Sequence, residues 1–79
     1  MYYFYAIKSR VNGDIYKGIS RNPSERIVRH NSGKTQSIKA YIPYDLVYLE
    51  DCGDIASARI KEKYYKTGRG REELDNKIQ

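Results

Sequence analysis

Residues 2–8, YYFYAIK, are apolar or aromatic on both sides of a two-residue alternation, with Tyr3, Tyr5 and Ile7 on one face and Tyr2, Phe4 and Ala6 on the other. A strand apolar on both faces belongs in the middle of a sheet covered on each side. Polar SRVNGD follows, and its Asn12-Gly13 pair is a strong hairpin signal before the returning strand DIYKGI. If those two residues were the whole turn, Tyr16 would lie opposite Ser9, about 13 Å along the strand from the level of Tyr5. A looser loop of about four to six residues brings Tyr16 back toward Tyr5. Either register keeps the two rings on one face. The looser loop is the expectation.

The run NPSE announces a helix, with Asn22 as N-cap, Pro23 at the first helical position and Glu25 placed to close a capping box. It is expected to run to about Ser32, with Gly33 as its stop. Residues 34–43 are polar and irregular, a surface loop ending at Pro43. A third strand, YDLVYLE at 44–50, alternates Leu46 and Tyr48 against Val47 and Leu49. Asp54 can cap a second helix reaching about Lys66, with Gly68 as its stop, and REELDNKI forms a short last helix with Leu74 and Ile78 on one face. The order is ββαβαα, without repeat, linker or low-complexity tract.

A chain of 79 residues buries about 60% of the surface its unfolded form exposes, which leaves room for one domain over 1–79. Nine Tyr, one Phe and no Trp imply a core built partly from amphipathic rings. Fifteen Lys and Arg against ten Asp and Glu give a net charge of +5, which favours a polyanionic partner without naming one. Cys52 stands alone and cannot form an internal disulfide, and no leader or long apolar stretch is present. These features predict a soluble, cytoplasmic protein with no membrane partner.

Three features could carry chemistry. On the second helix Ile55, Ala58, Glu62 and Tyr65 follow at spacings of three, four and three, which puts a carboxylate on an apolar stripe. Burying it unpaired costs several kcal/mol, so Glu62 needs an arginine, a metal ion or an escape to solvent at the stripe's edge. Arg26 and His30 share a helix face, although with Arg21 and Arg29 they also fit a solvated basic surface. Between Arg59 and Arg71 the positive charge concentrates, interleaved with Tyr64 and Tyr65, a mixture suited to phosphates as well as to plain solvation.

Taken together, these residues resemble the GIY-YIG endonuclease family over nearly the whole chain. Tyr3-Phe4-Tyr5 stands at the first motif and Tyr16-Lys17-Gly18 at the second, eleven residues on. Arg26, His30 in RHNSGK, PYDLVYLE, and SARIKEKYYKTGRGREEL with Glu62 follow at the family's intervals. Tyr3 replaces the glycine of the first motif, Phe4 its aliphatic residue, and Lys17 the hydrophobic middle of the second.

The resemblance implies an α+β fold, a small, mostly antiparallel three-stranded sheet flanked by about three helices. It also implies metal-dependent hydrolysis of DNA phosphodiesters. Glu62 would hold Mg²⁺ or Mn²⁺ while water and phosphate oxygens complete the coordination. Arg26 would clamp a non-bridging oxygen, and Tyr5 or Tyr16, with His30, would take the proton of the attacking water. Contacts to DNA are expected from Lys17, Arg29, Lys34, Lys39, Arg59, Lys63, Arg69 and Arg71, reading backbone and shape, with branched or damaged sites in a DNA-repair setting as candidates. A protein partner is a further candidate. The rival readings are a non-cutting nucleic-acid-binding module of the same fold and a protein-interaction domain whose charge serves solubility.

Overall fold

The computed structural model describes residues 1–78. Strand β1 (Tyr2–Ser9) is the centre of a three-stranded antiparallel sheet of order β2-β1-β3, between β2 (Ile15–Ser20) and β3 (Tyr44–Gly53). Helices α1 (Pro23–Asn31), α2 (Ile55–Tyr65) and α3 (Gly68–Ile78) complete the order ββαβαα, and a single 3-10 turn, Lys39–Tyr41, precedes β3. The fold is the α+β architecture expected. Among the described residues no helix is long and apolar enough to cross a membrane.

Cover on both faces explains the two-sided apolar pattern of β1. Phe4 and Ala6 pack with Tyr65 of α2 and Leu74 of α3, whereas Tyr5 and Ile7 pack with Ile38 and Tyr44, bordered by Tyr16 and by Ile27 of α1. The sheet thus has two small cores, one under α2 and α3 and one under α1 and the 34–43 loop.

The β1–β2 connection is the looser one. Residues 10–14 form it, so that Ile7 faces Tyr16 and Tyr5 faces Gly18. Ser9 organises the loop by accepting the N–H groups of Val11 and Asn12 on its hydroxyl, and Asn12 accepts the Asp14 N–H on its side chain. Gly13 supplies the positive φ of +78° that closes it.

Local departures from the expected pattern have physical causes. Asn22 caps α1 by accepting the Glu25 N–H at 3.3 Å, but the Glu25 carboxylate answers the Asn22 side-chain amide instead of its backbone N–H, which donates to Ser20. In β3 the strict alternation fails because the register shifts between Ala6 and Ile7. This bulge lets neighbouring Val47 and Tyr48 both reach the Phe4 core and leaves Leu46 and Leu49 exposed. Gly68 does not merely stop α2; it begins α3, which starts three residues earlier than REEL suggests. Thr67 is the reason, since its hydroxyl donates to the Tyr64 carbonyl at 2.7 Å and accepts the Gly70 N–H at 3.0 Å. Gly70 permits the tight junction, because a β-carbon there would fall 1.9 Å from the Tyr64 carbonyl oxygen.

Candidate active site

The site begins with the Tyr5–Gly18 pair across the hairpin. A β-carbon at residue 18 would lie 2.5 Å from the Tyr5 hydroxyl oxygen, so only glycine lets that ring pass over β2. The hydroxyl then meets His30 Nε2 of α1 at 2.8 Å in a buried hydrogen bond. His30 Nδ1 bonds in turn to the Thr35 hydroxyl. Tyr16, on the same face as Tyr5, sets its ring edge-on to the same imidazole, with centroids 4.9 Å apart.

Burial, followed by the charges of Arg26 and Arg29, pushes His30 below the usual histidine pKa of 6.5, so the imidazole is neutral at pH 7. A neutral ring carries one N–H, and the Tyr5–His30–Thr35 chain therefore runs in one direction at a time. With Tyr5 donating to Nε2, Nδ1–H donates to Thr35; with Nε2–H donating to the Tyr5 oxygen, Nδ1 accepts from the Thr35 hydroxyl.

Burial raises the Tyr5 pKa, and the adjacent Arg26 guanidinium opposes that shift only in part. Positive charge thus does not make Tyr5 a phenolate, as it would need to be to act as a base. Tyr16 and the Glu62 carboxylate push the same phenol further up. Glu62 comes from α2, which packs against all three strands, and it lies within electrostatic reach of Tyr5. Tyr5, Tyr16 and His30 are thus in contact, drawn from both strands of the hairpin and from α1, while Arg26 and Glu62 lie within electrostatic reach of Tyr5.

Glu62 sits where the apolar stripe meets solvent. Ala58 and Tyr65 are buried, Ile55 is exposed, and the Glu62 side chain is 28% exposed. Its partner is Lys66, one turn on, with Nζ 3.4 Å from the carboxylate. That ammonium shows that the carboxylate already accepts a cation beside it. Among the described residues no group of three or more His, Cys, Asp or Glu side chains gathers to hold a metal. A divalent ion fits only as a guest of one carboxylate completed by water and phosphate oxygens, the donor set suited to Mg²⁺ or Mn²⁺.

The expected nucleic-acid contacts divide. Lys17 and Arg71 line one groove of about 270 Å³ with Ile15, Tyr16 and Lys66. Arg29 acts on His30. Arg69 faces a separate hollow with Tyr64, Glu72, Glu73 and Asn76. Lys34, Lys39, Arg59 and Lys63 are exposed surface cations. Two participants, Lys66 and Thr35, are not among the site residues expected from the sequence. Lys66 is visible there as an i, i+4 partner of Glu62, whereas Thr35 lies in an irregular loop where no periodicity marks it.

A second polar cluster lies on the other face, under α2 and α3. Tyr48 and Tyr65 donate to the same Glu50 oxygen at 2.7 and 3.1 Å, Lys61 pairs with the other at 3.3 Å, and Lys77 donates to the Tyr65 hydroxyl at 3.1 Å. Burial alone would raise the Glu50 pKa, but the hydrogen bonds from Tyr48, Lys61 and Tyr65 outweigh it and hold the carboxylate charged.

A family model described as GIY-YIG catalytic domain matches residues 1–77. No curated protein and no solved structure matches the chain significantly.

Proposed function

The chain belongs to the GIY-YIG family, whose domain is a nuclease acting on nucleic acid, and from that premise we propose that it is a metal-dependent DNA endonuclease. One observation carries the reading: the two phenols and the imidazole meet at the Tyr5–His30 hydrogen bond, with the Arg26 guanidinium and the Glu62 carboxylate within electrostatic reach of Tyr5.

Each side chain suits one task. Arg26 is exposed, and its planar fork matches the non-bridging oxygens of a phosphate. Glu62 would hold Mg²⁺ or Mn²⁺, which supplies charge neutralisation at the phosphate and at the leaving 3′ oxygen. Tyr5 is 1% exposed and its hydroxyl is held in a buried hydrogen bond to His30, so it positions rather than reacts. Tyr16 is half-buried and lines the open groove, which leaves it as the phenol that, once it has given its own proton to solvent, would take the water's proton as phenolate. His30 fixes both rings.

Single-turnover cleavage by Tyr16→Phe and Tyr5→Phe variants tests this division. Tyr16→Phe should abolish cutting while DNA binding persists. Tyr5→Phe should lower stability along with the rate. Full activity in both variants would overturn the roles.

A second reading, a nucleic-acid-binding module without cleavage, draws on the Lys66–Glu62 pair, since the ammonium already pairs with the carboxylate that a metal ion would need. It predicts no divalent-ion-dependent cutting by the parent protein.

A further inference from the structure

The groove beside Tyr16 holds three cations and is walled by one ring and one aliphatic side chain: Lys17 from β2, Arg71 from α3, Lys66 at the end of α2, then Tyr16 and Ile15. Among the described residues neither Lys17 nor Arg71 forms an ion pair, and Lys66 is shared with Glu62. Lys17 is half-buried, and Asp75 is the acid that acts on it against Arg71 and Lys66. Three convergent positive charges with so little compensation are a cost to the folded chain that a bound anion would remove.

We propose that this groove is a second phosphate subsite, which holds a backbone phosphate of the nucleic acid beside the one at Glu62. This rests on the nucleic-acid reading above. The two subsites are continuous, because Lys66 lines the groove and its ammonium pairs with the Glu62 carboxylate. Lys17 and Arg71 would fork around the phosphate oxygens, and the Tyr16 ring would wall off the adjoining sugar or base. The same burial and neighbouring charges lower the Lys17 pKa, which an incoming phosphate would reverse.

Binding of the full chain to a short fluorescent DNA duplex, followed by anisotropy without divalent ion at several salt concentrations, tests the subsite independently of cleavage. Lys17→Met and Arg71→Gln should each weaken binding and flatten the plot of log affinity against log salt, by about 0.9 for each phosphate that is no longer neutralised. Arg10→Gln, which removes an exposed charge already paired with Asp45 at the far end of the hairpin, should leave the slope near that of the parent. Lys17→Met should also raise the thermal midpoint or leave it unchanged, because it relieves repulsion; a lysine with a merely structural role would lower it. Slopes for Lys17→Met and Arg71→Gln equal to that of Arg10→Gln, or no binding by any form, would overturn the subsite. Cutting with equal slopes would sink the groove and spare the nuclease reading, whereas flattened slopes without cutting would do the reverse.

Discussion

Tyr5 and Gly18 face each other across the hairpin so closely that a β-carbon on residue 18 would meet the Tyr5 hydroxyl oxygen at 2.5 Å and its Cζ at 2.7 Å. The glycine is therefore part of the site, since it allows the phenol to reach His30.

Gly18→Ala should cost about 1–3 kcal/mol through overpacking and should break the Tyr5–His30 bond. Urea denaturation measures the first effect. In a Tyr5→Phe background, which removes the nearest clashing atom, the penalty should shrink by a coupling energy of about 0.5 kcal/mol or more. Equal penalties in the two backgrounds would mean that the ring is not what the new methyl meets.

His30 is the sole histidine, so its titration is read without ambiguity. Its folded pKa lies below the 6.5 of an unperturbed imidazole, first through burial and then through Arg26 and Arg29. Between the two values the unfolded chain binds the proton and the folded chain does not. Stability from this group is complete above pH 6.5 and falls as pH drops through the depressed folded value. Denaturation midpoints of the parent should fall between about pH 7 and pH 5 more steeply than those of His30→Gln, and the imidazole NMR titration should centre below 6.5.

Glu62→Gln should abolish metal-dependent cutting and change stability by no more than about 0.5 kcal/mol, because an ion pair this open to solvent contributes little. Calorimetry beside a cleavage assay separates the two effects.

Glu50 gives the opposite profile. Glu50→Ala would leave the Tyr48 and Tyr65 hydroxyls without their acceptor, at a cost of about 1–3 kcal/mol. At low temperature the rate per folded molecule should hold, since this cluster is on the face away from Tyr5 and His30.

Much of this is legible in the sequence where one residue type has one physical use. Asn22-Pro23 at a helix start, positive-φ Gly13 and Gly33, and a doubly apolar β1 each point to the structure they form. The shared face of Tyr5 and Tyr16 follows from the two-residue period alone. The β3 bulge is not legible, because an apolar run permits several registers and tertiary packing chooses among them. Nor is the Glu50 cluster. Its carboxylate looks like an ordinary exposed strand residue until Tyr65 and Lys61 arrive from α2. The start of α3 depends on a close approach at Gly70 that pattern cannot reveal.

The central claim is Glu62-dependent cleavage of DNA. Its most direct test is incubation of the parent chain and Glu62→Ala with linear, nicked, flapped and branched DNAs, in Mg²⁺, in Mn²⁺ and in chelator. The account predicts that the parent cuts at least one substrate with a divalent ion and none with chelator, and that the variant binds DNA but does not cut. No cutting by the parent with either ion, or cutting undiminished in the variant, would contradict it.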